Sequence, residues 1–116
     1  MINLDYASRT PIYKQIVEQI EKFIALGIFK PNQQLSSIRE LAVELGINPN
    51  TVKKAYTELE SKGVIKTIST KGTFVTDNTE NIIQKQIEEK IDNINKIIIE
   101  IEQMGLNKED IIKKIL

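Results

Sequence analysis

The stretch SIRELAVELGINPNTVKKAYTEL, residues 37–59, decides the fold. Ser37 and Glu40 stand in the S-x-x-E spacing of a capping box, in which a hydroxyl and a carboxylate reciprocally satisfy free amides at a helix start. Ile38, Leu41, Ala42 and Leu45 follow on one face of a helix over about 38–45, and Gly46 stops it. Ile47 then leads into Asn48-Pro49, a second start: asparagine accepts from an orphan amide, and proline suits the first helical position. Val52, Ala55, Tyr56 and Leu59 give this helix an inner face to about Lys62, and Gly63 closes it. Two helices joined by so short a turn form a helix-turn-helix, although the spacing alone suits an αα-hairpin equally well.

The flanks decide between the two. Val64 to Ile68 is a run rich in β-branched residues, Ser69-Thr70-Lys71-Gly72 is a turn, and Thr73 to Thr76 reads as a returning strand. A hairpin directly after the second helix is a wing. Upstream, a helix is expected over 11–26, capped by Thr10, with Pro11 at its first position and Gly27 after its end. Ile12, Ile16, Ile20, Phe23 and Ile24 form its stripe, widened by Tyr13 and Val17. The segment near Leu35 is in place to add a short third strand. The fold class is α+β, mainly α: a winged helix-turn-helix over residues 1–77, followed by a short helical tail over 78–116.

In that tail, a helix is expected from about Glu80 to Met104. Ile87, Ile91, Ile94, Ile98 and Ile101 are spaced four, three, four and three, a heptad seam of about two repeats. Gly105 ends the helix. Asn107 and Asp110 cap a last short one, with Ile111, Ile112, Ile115 and Leu116 expected inward. Burying one such side chain is worth about 1.5–3 kcal/mol, so the stripe calls for cover. The same tail from a second chain supplies it in a symmetric dimer. The alternative is that the tail folds back on its own winged helix. The expected dimerisation residues are Ile83, Ile87, Ile91, Ile94, Ile98 and Ile101.

Composition narrows the function classes. Charged residues make up 28% and hydrophobic ones 41% of 116 residues, ordinary values for a globular chain. There is no Cys and no His, which removes disulfides, thiol catalysis, the usual zinc ligands and the commonest general base. No catalytic constellation of carboxylates stands out, so no enzyme, metal or cofactor is expected. The opening MINLDY lacks a signal pattern and no apolar run is long enough to span a bilayer, so a cytoplasmic protein without membrane contact is expected. Net charge is zero, yet residues 1–78 hold 10 basic and 8 acidic residues while 79–116 hold 6 and 8.

Candidate DNA contacts follow from the second helix of the pair, whose N-terminal residues enter the major groove in this motif. Residues 48–57 carry no acid, as approach to phosphates requires. Asn48, Asn50, Thr51, Lys53 and Lys54 lie there. Asparagine can bond adenine bidentately, and threonine can reach a phosphate or a thymine methyl. Asn48 also serves as a cap, whereas Asn50 has no capping duty. Arg39 sits in the first turn of its helix, where a cation is misplaced for the macrodipole, which favours a role on DNA. Ser37 caps, bonds a phosphate, or both. Lys71 and Gly72 place the wing tip near the minor groove, with glycine allowing close backbone approach. The same residue pattern could serve a protein–protein adaptor without DNA binding. The acid-free run over 48–57 favours DNA.

The chain resembles the GntR family of bacterial regulators. The resemblance runs over roughly residues 9–76, through Leu35-Ser36-Ser37-Ile38-Arg39-Glu40-Leu41-Ala42, Leu45 to Val52, Ala55 to Glu60, Lys62-Gly63-Val64-Ile65 and Lys71 to Val75. The family's L-P-S reads Leu35-Ser36-Ser37 here, and its P-G-D reads Pro31-Asn32-Gln33. Ser8 to Tyr13, the Asn48-Pro49-Asn50-Thr51 start and the short tail are similar to the YtrA-type subgroup. Pro49 stands where the family often has arginine, and Lys53 at a later arginine position. The resemblance implies DNA contacts at Arg39, Asn50, Thr51, Lys53 and Gly72. It also implies a homodimeric repressor on a palindromic double-stranded operator, of an ABC-type transporter operon in many members of the subgroup. A tail of about 40 residues is too small for a pocket of about 300 Å³ within one subunit, so a small-molecule effector stays unidentified.

Overall fold

Helix α1 (Ile12–Ala25) buries Ile16, Val17, Ile20 and Ile24, the stripe read from its spacing. The computed structural model describes residues 1–116. The start of α1 differs from expectation. Pro11 takes the capping place with an extended ψ of 149°, and no side chain caps the helix. Thr10 therefore lies one residue too far out to cap, and its carbonyl instead accepts from the Gln15 amide at 2.9 Å. Gln15 also exchanges hydrogen bonds with the backbone of Asp5, at 2.8 and 2.9 Å. Gln19, one turn on, does the same with Asn3 at 2.9 and 2.6 Å. Two glutamines thus act as a surrogate strand, and Ile2 and Leu4 of the tethered segment pack against the core.

Helix α2 (Ile38–Leu45) opens with the capping box: Ser37 Oγ accepts from the Glu40 amide, and Glu40 Oε1 accepts from the Ser37 amide. It ends at Gly46, whose φ of 65° is a left-handed conformation that favours glycine. Helix α3 (Pro49–Ser61) starts from Asn48, whose side chain accepts from the Asn50 amide at 2.8 Å. Val52, Ala55, Tyr56 and Leu59 are buried, as the spacing required. Leu41 and Ala42 of α2 join them, with Ile38 and Leu45 half-buried against the same core.

Strands β1 (Ile65–Ile68) and β2 (Gly72–Val75) pair antiparallel, Ile65 opposite Val75 and Ile68 opposite Gly72. The segment before α2 does add to this hairpin, as an isolated bridge between Gln34 and Phe74 rather than a full strand. Leu35 donates to the Thr73 carbonyl at 2.8 Å, and Val75 donates to that of Gln33 at 2.9 Å. Val64, Ile65 and Val75 carry the hairpin's inner side into the core.

Helix α4 spans Thr79–Gln103 and α5 spans Lys108–Ile115. The chain forms two compact units, Met1–Ile83 and Gln84–Leu116. Ile82 in the first turn of α4 is a core residue of the first unit. In the second unit Asn107 caps α5 by accepting from the Asp110 amide at 2.9 Å. The inward set expected for α5 reduces to Ile111. Ile112, Ile115 and Leu116 are exposed. An eight-residue helix turns Ile112 about 100° from Ile111, and Ile115 and Leu116 close its free end. No helix is long and apolar enough to cross a membrane.

Candidate nucleic-acid interface

The start of α2, the outer face of α3 and the wing meet around one cleft of about 480 Å³. Ser37, Arg39, Lys53 and Gly72 all line it, so residues 35 positions apart in sequence share a single surface. Arg39 and Lys53 are exposed and unpaired. Ser37 Oγ is engaged as an acceptor by its cap, which leaves the hydroxyl proton to donate. The cleft also holds Glu40 and Glu60, which the acid-free run over 48–57 did not foretell. Glu40 is held by the capping box, and Glu60 Oε2 accepts from the Thr67 hydroxyl at 3.4 Å.

The α1 side of α3 carries the other candidates. Asn50, Lys53 and Lys54 line a second cleft with Tyr13, Thr57 and Glu58, and Asn50, Thr51 and Lys54 line a third with Ile12 and Tyr13. The Asn50 side chain is exposed, whereas Thr51 is half-buried. The Lys54 ammonium rests 4.1 Å from the centre of the Tyr13 ring, a cation–π contact. Asn48 and Lys71 line none of these three clefts. Asn48 is occupied by its capping bond, and Lys71 stands exposed beside Gly72 at the wing tip.

The first acid of α3 after the candidate run is Glu58, and it is internally neutralised. Lys14 Nζ of α1 lies 2.7 Å from its Oε1, and Lys62 Nζ lies 3.5 Å from its Oε2. The Lys14 hydrogen bond holds the Glu58 carboxyl below its usual range, against the opposing effect of desolvation. The same bond raises Lys14. Burial pulls Lys62 down, but the Glu21 and Glu58 carboxylates outweigh it and the net shift is upward. The four charges brace α3 against α1. Across the helix, the buried Tyr56 hydroxyl donates to the Ser36 carbonyl at 2.6 Å and ties α3 to the turn before α2. Desolvation, then the nearby Glu44 and Glu40, push the Tyr56 phenol up to about 12.

The residues assigned to dimerisation lie along α4. Ile87, Ile91 and Ile94 are exposed, as are Ile97 and Ile99 outside the seam. Ile83, Ile98 and Ile101 are half-buried.

A short two-helix motif with a basic outer face, a third helix behind it and a two-stranded wing beside it define a winged-helix DNA-binding regulator. The sequence pattern of the bacterial regulatory proteins, gntR family, matches residues 12–75. Over 110 residues the chain is 38% identical to the HTH-type transcriptional repressor YtrA of Bacillus subtilis, covering 94% of this chain and 85% of that protein. A transcriptional regulator from Oenococcus oeni superposes with a TM-score of 0.89 at 36% identity, over 99% of this chain and 96% of that one. The DNA-binding domain of AraR, solved in complex with an operator, superposes with a TM-score of 0.53 at 29% identity, over 64% of this chain and 92% of that one. The chain belongs to the GntR family, in its YtrA-type subgroup, and is a DNA-binding transcriptional regulator.

Proposed function

We propose that this protein is a homodimeric, non-catalytic repressor that acts in the cytoplasm by occupying a palindromic operator and excluding RNA polymerase. Arg39, Asn50, Lys53 and Lys54 make the main groove and phosphate contacts, with Ser37, Asn48 and Thr51 at the helix starts. Lys71 and Gly72 engage the minor groove or its phosphates. The tail pairs with that of a second copy through Ile83, Ile87, Ile91, Ile94, Ile98 and Ile101. Two recognition helices then face half-sites about one DNA turn apart. By its subgroup, the operon under control encodes an ABC-type transporter. The observation that carries this reading is the single cleft shared by Ser37, Arg39, Lys53 and Gly72, with its two cations unpaired.

The test is a gel shift with the region upstream of the protein's own gene, at two salt concentrations. Arg39→Ala and Lys53→Ala should each weaken binding and lower the log–log salt slope by about 0.9, the signature of one lost phosphate contact. Normal binding by both variants would refute the docking.

A further inference from the structure

Within the hairpin the wing tip is closed by one turn bond, from the Lys71 amide to the Ile68 carbonyl at 3.0 Å, and a second grip reaches it from outside. A two-stranded hairpin is marginal alone in water. Here the turn between β1 and β2 passes through Thr70 at φ 67° and Gly72 at φ 125°, neither an ordinary strand conformation. Outside the hairpin, the side chain that grips this turn is Gln34. Its Nε2 donates to the Lys71 carbonyl at 3.1 Å. The same nitrogen lies against Gly72, where a Cβ would come within 2.7 Å of it. Gln34 is itself anchored, because its backbone bridges to Phe74 and its neighbours Gln33 and Leu35 bond to Val75 and Thr73. It lines the cleft that holds Arg39, Lys53 and Gly72. A glycine at 72 thus serves two needs: its φ suits a residue without a side chain, and its bare Cα leaves room for the amide that clamps the turn.

We propose that Gln34 is the positioning residue of the wing: its amide fixes the backbone at Lys71 and Gly72, so that the Lys71 ammonium meets a DNA phosphate from a fixed root beside Arg39 and Lys53. This rests on the DNA-binding reading above and assigns a role to a residue outside the candidate contact set. Without the clamp, the turn must be ordered at the moment of binding, which weakens the contact without changing its chemistry.

Gln34→Met keeps length and neutrality and removes the donor. Binding is measured on the duplex from upstream of the gene and, at low salt, on a duplex of unrelated sequence. The expected result is an affinity about two- to tenfold lower on both duplexes, the range of one net hydrogen bond. Combined with Lys71→Ala, the effects should be non-additive, because removing the ammonium takes away the phosphate contact that the clamp positions. Combined with Lys53→Ala they should add. Tm should stay unchanged, and amide exchange at residues 70–72 should quicken. Wild-type affinity in Gln34→Met, or additivity with Lys71→Ala, overturns the clamp while leaving the DNA reading intact. Failure of the wild-type chain to bind either duplex at low salt overturns both.

Discussion

Isoleucine plays opposite parts in the two units. In the first, Ile16, Ile20 and Ile24 of α1 are 0, 2 and 1% exposed, in a core that α3, the hairpin and the start of α4 share. In the second, Ile87, Ile91 and Ile94 of α4, likewise spaced along one helical face, are 46, 50 and 53% exposed. Periodicity fixes a face in both cases, but the winged helix supplies its own covering elements and the tail does not. One unit is complete within the chain, and the other leaves an apolar face open to solvent.

The sharpest break of that contrast lies in the core. Leu59 is fully buried on α3, and Leu59→Ala should lower the unfolding free energy by about 2–5 kcal/mol, at any protein concentration. Urea unfolding at two concentrations checks both points. In the tail, Ile94→Asp should leave the core packing untouched and halve the mass seen by sedimentation. Operator affinity should fall about a hundredfold as the half-sites are bound singly. An unaltered mass would mean that this face is not the subunit contact.

Smaller effects sharpen how the first unit is closed. Tyr56→Phe removes the bond to the Ser36 carbonyl and should cost about 1 kcal/mol near neutral pH. Because the folded state raises Tyr56 from 10.0 to about 12, its contribution is whole below pH 10 and drains away as the pH climbs to 12. Unfolding curves across that window should fall more steeply for the wild type than for Tyr56→Phe. The least effect is expected in acid. Glu58 has a folded pKa below 4.5, so its pairing with Lys14 stabilises above that pH and is lost as pH falls through the folded value. Glu58→Gln should flatten this acid limb and shift Tm less than Tyr56→Phe does.

Local signals made most of the architecture legible. The capping box at Ser37, the glycine at 46 and the Asn48-Pro49 start each act within four residues, and the ends of α2 and α3 followed from them. Thr10 misled because proline suits the capping place as well as the first helical position, and only the backbone angle separates the two. The basic face was legible where charge and helix position decided it: Arg39 and Lys53 line one cleft. What escaped were partners distant in sequence. Lys14 meets Glu58 across 44 residues, Gln34 meets Lys71 across 37, and Tyr56 meets Ser36 across 20. Nothing in the spacing of a glutamine or a tyrosine names the carbonyl it will find.

The doubled glutamine tether has a practical corollary for anyone excising this unit. The family pattern begins at Ile12, but Gln15 is buried with its amide committed to Asp5 and Thr10. A chimera spliced at residue 12 would strand that amide without a mate and bare the apolar patch beneath Ile2 and Leu4. The leader is working scaffold, and transplants should keep it.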